Sequence, residues 1–301
     1  MKLSVIIPAY NEEAIVRDTL FTLSEALFAM QERGAFDDHE MIFVSDGSTD
    51  ATASLLSEAE RQYPCLRTCC YEQNRGKGYA VRTGILASTG DYVLYTDCDL
   101  AYGTDVIEAA VRQLQDTQAD VLIGSRAIHP EGYEGYTPLR KLASVLYLRI
   151  LCIAAGFRLS DSQAGFKALR GDVGRMIFAG CEIDRFAFDL EMLMRAQKAG
   201  CSVTELPIKV INHRESSIHL VRDSIRMLRD IVKIKKSHNG TAYFIAGFHG
   251  ACSHSPACHN LFTFKYGNYH FHVAHIYYKY HLKISSNRSF LNIFALIAVF
   301  F

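Results

Sequence analysis

Apolar runs of strand length alternate with helix-length amphipathic stretches through the first 124 residues, and this alternation constrains the fold more than any other feature. Leu3–Pro8, Met41–Ser45, Leu66–Tyr71, Tyr92–Thr96 and Val121–Gly124 read as strands. Glu12–Met30, Thr49–Gln62, Gly78–Ser88 and Thr104–Asp116 read as the helices between them. A strand returning parallel to its predecessor needs a crossover of about a dozen residues or more, which a helix supplies. The expectation is an α/β fold with a mainly parallel, doubly wound sheet that binds ligands at the carboxyl ends of its strands.

The polar motifs of this half fall at such ends. Pro8-Ala-Tyr-Asn-Glu12 closes the first strand and Ser45-Asp-Gly-Ser-Thr-Asp50 the second. Asn74-Arg-Gly-Lys-Gly78 follows the third, bringing two cations and flexible backbone toward a phosphate or sugar. That segment lacks the third glycine of a dinucleotide fingerprint, and Gly78 stands where a Walker loop requires Ser or Thr. A dehydrogenase and a nucleoside triphosphatase are excluded on those grounds. Asp97-Cys-Asp99 closes the fourth strand. Two carboxylates one residue apart suit a hard cation, Mg²⁺ or Mn²⁺, able to bridge them to a diphosphate. An isolated pair of this kind is ordinarily a solvated loop; its company makes it a candidate metal site. The order of motifs fits a nucleotide-sugar-binding domain. Pro8, Tyr10, Asn11 and Glu12 would contact the nucleotide, Asp46 the base or ribose, and Gly76 and Lys77 a phosphate or the sugar. Asp46-Gly47-Ser48 also reads as a turn and helix cap.

The second half is less regular. Leu139–Ala155 reads as a helix with arginines among Leu, Ile and Tyr, and Ser160–Lys167 as a loop. A helix follows near Phe188–Ala199, then a strand-like stretch at Val203–Val210. Ile218–Lys236 is a basic amphipathic helix of the kind that lies on membrane surfaces. Composition changes near Ser237. Residues 1–237 carry 28 basic and 32 acidic side chains, whereas residues 238–301 carry four basic and no acidic ones, with eight of the twelve histidines. The chain is therefore read as a catalytic domain over 1–237, with interfacial helices near 139–155 and 218–236, and an atypical aromatic, His-rich tail over 238–301 that is disordered or membrane-associated. Zero net charge argues against a generic nucleic-acid binder. Nine cysteines without a disulfide-like framework point to a reducing, cytoplasm-facing setting. No run reaches the ~20 apolar residues of a spanning helix.

With Gly124-Ser-Arg126, Asp161-Ser-Gln-Ala-Gly-Phe-Lys167 and Arg185-Phe-Ala-Phe-Asp-Leu-Glu191, these motifs complete a set over residues 1–236. The set resembles the family 2 glycosyltransferases of the GT-A fold. Within that family it is closest to the polyprenyl-phosphate glycosyltransferases, the dolichyl-phosphate β-glucosyltransferases in particular. The resemblance implies that Asp99 ligates a divalent metal on the donor diphosphate, with Asp97 beside it. Mannosyl relatives add a Gln two positions on; Ala101 stands there, as expected of the glucosyl branch. Arg126 would face the diphosphate or the acceptor phosphate. Arg140 and Ser144 match positions that grip the acceptor phosphate. Asp161 occupies the place proposed for a base in some relatives. Arg214 sits at a basic position, although the Gly-Ser-Lys that follows in relatives is replaced by Ser216-Ser-Ile218.

The implied activity is metal-dependent, inverting transfer of a hexose, glucose from UDP-glucose, to dolichyl or undecaprenyl phosphate at a cytoplasm-facing membrane. Mannosyl transfer from GDP-mannose is the alternative within the class, and a non-catalytic nucleotide-sugar-binding protein the alternative outside it. The chain lacks tryptophan, which argues against a processive polysaccharide synthase using Gln-x-x-Arg-Trp.

Overall fold

The computed structural model describes residues 1–133, 159–185, 187–212, 261–266 and 269–274. Its strands are β1 (Lys2–Ala9), β2 (Asp38–Asp46), β3 (Leu66–Tyr71), β4 (Tyr92–Tyr95), β5 (Val121–Ser125), β6 (Lys167–Arg170), β7 (Val203–Pro207), β8 (Leu261–Tyr266) and β9 (Tyr269–Ala274). Its helices are α1 (Val16–Glu32), α2 (Thr52–Ala59), α3 (Lys77–Ala87), α4 (Asp105–Thr117), α5 (Gly171–Ala179) and α6 (Phe188–Lys198). The chain divides into two compact units, Met1–Gly240 and Thr241–Phe301. In the second, β8 and β9 pair antiparallel, an element not read from the sequence.

The first unit is built on a seven-stranded sheet in the order β3-β2-β1-β4-β6-β5-β7. Side chains alternate across a strand, so each buried strand feeds two cores. Leu3, Val5 and Ile7 of β1 and Met41 and Phe43 of β2 join Leu20, Leu23 and Leu27 of α1 and Ile107, Val111 and Leu114 of α4 on one face. Ile6, Ile42 and Val44 meet Val81 and Ile85 of α3, Ile177 and Phe178 of α5, and Leu190 and Leu193 of α6 on the other. Helices on both faces are the doubly wound arrangement expected, and the strands are mostly parallel.

One strand departs from that expectation. β6 lies antiparallel between β4 and β5, where the sequence reads as the end of a loop. It spans four residues with Lys167 and Arg170 at its ends, too short and too charged to show a strand period. The helix α5 that follows was not foreseen either. The start of α1 also moves, from Glu12 to Val16, because Asn11 takes a left-handed backbone (φ 54°) and the Glu12 carbonyl closes a turn onto the amides of Ile15 and Val16.

Near the amino ends of the strands, the buried Glu40 of β2 ties three segments together. Its Oε1 accepts from the Ser4 hydroxyl (2.6 Å), the Thr89 amide (2.7 Å) and the Thr89 hydroxyl (2.9 Å). Burial pushes this carboxyl up, but those hydrogen bonds outweigh it and hold the group below its ordinary 4.5. A depressed carboxyl contributes stability above the unfolded value and loses it as pH falls through the folded one. Glu40→Gln is therefore expected to flatten the fall in melting temperature between pH 6 and pH 3. An acid limb as steep as the wild type's would refute that.

Candidate active site

β1, β2 and β4 run side by side and parallel, so the loops leaving their carboxyl ends meet. The loop after β1 is laced to the one after β2. The Asn11 amide donates to Ser48 Oγ (3.2 Å), Asn11 Oδ1 accepts from the Thr49 amide (2.8 Å), and the Glu12 amide donates to Thr52 Oγ1 (2.8 Å). Asn11 thus spends its side-chain oxygen on the neighbouring loop, while Tyr10 stays 47% exposed at the rim. Pro8 lies opposite Val44 inside the sheet and fixes where this loop leaves it.

Asp46 closes β2 and is 3% exposed. Its Oδ1 accepts from the Tyr71 hydroxyl (2.8 Å) and the Arg75 amide (2.8 Å). Its Oδ2 accepts from Asn74 Nδ2 (3.0 Å) and the Gly76 amide (2.8 Å). An ionised carboxylate offers about four acceptor positions, and here protein donors use all of them. A hydrogen bond from a base or ribose to Asp46 would have to share or displace one. What Asp46 does in this arrangement is shape the Asn74–Gly76 loop. Gly47 allows it: a Cβ there would lie 2.2 Å from the Asn74 amide nitrogen, and its φ is +63°. Gly47→Ala is expected to destabilise the domain on the order of 2–3 kcal/mol by overpacking a left-handed position. Chemical denaturation giving a loss below 1 kcal/mol (about one unit of that same scale) would count against this role.

The loop delivers Lys77 to the start of α3. Gly76 adopts φ +110° and a Cβ on it would meet the Asp184 carbonyl at 2.5 Å, while Gly78 lies against Phe188. Held this way, the Lys77 ammonium forms an ion pair with Asp97 Oδ1. Burial pulls the Lys77 amine down, but the carboxylates of Asp97 and Asp189 outweigh it and raise it above its ordinary value.

Asp97 and Asp99 stand on a tight turn. The Leu100 amide donates to the Asp97 carbonyl (3.0 Å), Leu100 takes φ +46°, and the Ala101 amide donates to Asp99 Oδ1 (3.1 Å). The backbone is braced from two sides, by Thr19 Oγ1 of α1 on the Cys98 carbonyl (2.6 Å) and Asn212 Nδ2 on the Asp99 carbonyl (3.0 Å). Burial, and then the charge of Asp97, push the Asp99 carboxyl above its ordinary value. Two hard oxygen donors whose mutual repulsion a cation would relieve are a donor set that fits Mg²⁺ or Mn²⁺. Asp97 and Asp99 are the residues that would hold it. No third His, Cys, Asp or Glu joins them into a larger cluster among the described residues. A bound ion would therefore take its other ligands from substrate and water.

Across the sheet, β5 ends at Ser125 and presents Arg126. The Arg126 guanidinium grips the fully buried Asp161 through Nε to Oδ2 (2.7 Å) and Nη2 to Oδ1 (3.1 Å), and the Gln163 amide adds a bond to Oδ1 (3.0 Å). Burial pushes the Asp161 carboxyl up, yet the Arg126 charge and these hydrogen bonds hold it below its ordinary 3.8. Tyr102 stands between the two halves of the site. Its hydroxyl accepts from the Gly165 amide (2.9 Å), and burial, tempered by the Arg126 charge and reinforced by Asp97, raises it to about 12.

The structure thus joins Lys77 to Asp97 and Arg126 to Asp161, and places Asp46 under the Lys77 loop. Arg140, Ser144, Arg214 and the two helices near 139–155 and 218–236 lie outside the described residues. Sequence reasoning missed Tyr102, Gly165, Lys167, Asp189 and Asn212. Gly165, Lys167 and Asp189 belong to motifs singled out above, and a lysine inside the apolar run Ala164-Gly-Phe-Lys-Ala-Leu169 was the signal available.

The site thus gathers a lysine paired to an acidic turn after β4 and an arginine held by a buried aspartate after β5, on one side of a mostly parallel α/β sheet. The sequence model of glycosyl transferase family 2 matches residues 4–178, and the chain belongs to that family. It is a glycosyltransferase. It is 31% identical over 247 residues to a dolichyl-phosphate beta-glucosyltransferase of Trichomonas vaginalis, spanning 81% of this chain and 76% of that one. It is also 30% identical to the dolichyl-phosphate beta-glucosyltransferase of Saccharomyces cerevisiae, spanning 78% and 75%. The fold is that of glucosyl-3-phosphoglycerate synthase from Mycobacterium tuberculosis, solved with Mn²⁺, UDP and glucosyl-3-phosphoglycerate (TM-score 0.56, 18% identity, 81% of each chain). A Pyrobaculum calidifontis mannosyltransferase solved with GDP-Man and Mn²⁺ shares it (TM-score 0.54, 21% identity, 80% of this chain and 65% of that one). The GT-A fold is therefore established for this chain. Among the described residues, no helix is long and apolar enough to cross a membrane.

Proposed function

We propose that the enzyme is a hexosyltransferase that transfers glucose from UDP-glucose to a polyprenyl phosphate, dolichyl phosphate by the names of its relatives, with inversion at the anomeric carbon. The observation carrying this reading is the state of Asp161. A carboxylate that is fully buried, held by Arg126 and kept below its ordinary range is a poor proton acceptor. An acceptor served by such a site must arrive as its own anion. A phosphate monoester does, since its second pKa is about 6. One of its oxygens attacks the anomeric carbon as the bond to the diphosphate oxygen breaks; the electron pair leaves on UDP, and no proton moves.

The protein's own part is then alignment and charge. Arg126, positioned by Asp161, faces the acceptor phosphate or the donor diphosphate, and Arg140, Ser144 and Arg214 are assigned to the acceptor phosphate. Pro8, Tyr10, Asn11 and Glu12 are assigned to the nucleotide, and Gly76 and Lys77 to its phosphates. Asp46 supports the nucleotide side by holding the Lys77 loop. A divalent cation held by Asp97 and Asp99 would offset the charge of the departing diphosphate. At the position where a mannosyl enzyme would carry a Gln, the Ala101 carbonyl is spent on the Ile211 amide (2.8 Å) and its side chain offers no ligand, which favours the glucosyl donor. A lipid-phosphate acceptor would put the enzyme at a membrane surface, and we assign its site to the cytoplasm-facing side.

Isothermal titration of the purified protein with UDP-glucose and GDP-mannose, each with Mn²⁺ and then with EDTA, tests the donor side. Tighter, EDTA-sensitive binding of UDP-glucose is expected; preference for GDP-mannose would overturn the donor assignment.

A further inference from the structure

Behind the acidic turn lies a second charged group that no step above uses. Lys167 of β6 is 0% exposed, and its ammonium donates to the Ala164 carbonyl (2.7 Å) while pairing with Asp189 Oδ1 (2.8 Å). The same Asp189 oxygen accepts from the Tyr95 hydroxyl (2.6 Å). These residues come from β6, from the first turn of α6 and from the last residue of β4, immediately before the acidic turn. Burying a lysine and an aspartate together is costly unless each is fully paired, and an apolar pair of the same volume is often no less stable. Placement of this pair is therefore better explained by what it holds. It holds the Ala164 carbonyl, and the next residue is in the site. A Cβ on Gly165 would lie 2.2 Å from Asp97 Oδ2 and 3.2 Å from Lys77 Nζ. From the other side, the Tyr102 hydroxyl fixes the Gly165 amide.

We propose that Lys167, paired with Asp189 and Tyr95, is a positioning residue that fixes the Ala164–Gly165 turn as the wall against which Asp97 and Lys77 are set, and so determines where the donor diphosphate and its cation sit. This rests on the donor-site reading given above. A methyl group at residue 165 could be accommodated only if the Asp97 carboxylate turned away from its place in the site. The pair reaches the site in two ways: β4 carries both Tyr95 and the acidic turn, so the pair anchors the wall and the turn to the same strand, and the Asp189 charge also acts on Lys77.

The test compares the wild type with Lys167→Met/Asp189→Leu, which removes both charges and leaves neither buried alone. Mn²⁺ binding in the presence of UDP is followed by loss of the free-ion electron paramagnetic resonance signal, with thermal melting and donor KM measured alongside. The double variant is expected to fold but melt below the wild type, since the buried Tyr95 hydroxyl and Ala164 carbonyl lose these partners, while its affinity for Mn²⁺ with UDP falls about 10- to 100-fold, the usual effect of removing a group that orients a metal ligand. Retention of wild-type Mn²⁺ affinity would reduce the pair to a structural feature and overturn the proposal. Should the double variant fail to fold, Gly165→Ala leaves the pair intact and intrudes on Asp97, with the Lys77 ammonium next in its way. It is expected to lose Mn²⁺ affinity similarly with native melting, and unchanged binding would overturn the proposal in its turn. A wild type that binds no Mn²⁺ with UDP would instead overturn the donor-site reading, and this inference with it. A wild type that binds both but transfers nothing to a polyprenyl phosphate would remove only the acceptor assignment.

Discussion

Asp99→Asn is expected to lower glucosyl transfer on the order of 10³-fold while leaving the metal-free protein as stable as the wild type or more so. With the proposed cation site, the activity loss would follow from replacing one of two anionic oxygen donors beside the departing diphosphate by a neutral amide, a charge-stabilising contact of the kind that costs 10²–10³-fold or more when deleted. The stability effect has the opposite sign for a reason visible in the site. Burial and the neighbouring Asp97 raise the Asp99 carboxyl, so its ionised form is disfavoured in the folded protein. That penalty is complete at pH values above the raised folded value and is lost as pH falls from it toward the unfolded one. A neutral amide relieves it. Melting curves with and without Mn²⁺ check both halves: the variant should match or exceed the wild type without the ion and gain less with it. An Asp99→Asn protein that transfers normally would remove the acidic turn from the chemistry.

Asp161→Ala should cost about 3–5 kcal/mol of stability, the usual consequence of stripping one partner from a buried ion pair. The lower end of that range is expected because Arg126 keeps 17% of its side chain exposed and can recruit water. Since the Asp161 carboxyl lies below its ordinary 3.8, the contribution is present above that pH and fades as acid titrates the folded group. Urea denaturation at pH 7 and pH 3 should therefore show a large gap between wild type and variant at the first and a smaller one at the second. If Asp161 served as the base, Asp161→Asn would abolish transfer without altering acceptor affinity. With Asp161 as the holder of Arg126, the expected result is a raised KM for the lipid phosphate with residual turnover.

Much of this site was readable before any coordinates. β1, β2 and β4 are mostly buried runs bounded by polar turns, so both their type and their carboxyl ends are marked in the sequence, and with them Asp46, Asp97 and Asp99. Lys77 and Arg126 were identifiable as cations near those ends. Their partners were not, because ion pairs between Lys77 and Asp97, or Arg126 and Asp161, depend on which strands are neighbours. The order β3-β2-β1-β4 decides the first and the antiparallel β6 between β4 and β5 the second, and the four residues of β6 carry no periodic signal. Asp46 illustrates a further limit. Its chemistry suggested a ligand contact, whereas two backbone amides (Arg75, Gly76) and two side chains (Tyr71, Asn74) already supply four donors. Lys167 was marked only by its place in an apolar run, and its role becomes legible once Asp189, on a helix that follows 21 residues later in the chain, is seen beside it.

The central claim is most directly tested by supplying purified protein and Mn²⁺ with radiolabelled UDP-glucose or GDP-mannose and a polyprenyl phosphate, and counting label in the organic phase. The account predicts EDTA-sensitive transfer from UDP-glucose, with little or none from GDP-mannose. Transfer from GDP-mannose instead, or no lipid-borne label from either donor while nucleotide binding is intact, would contradict it.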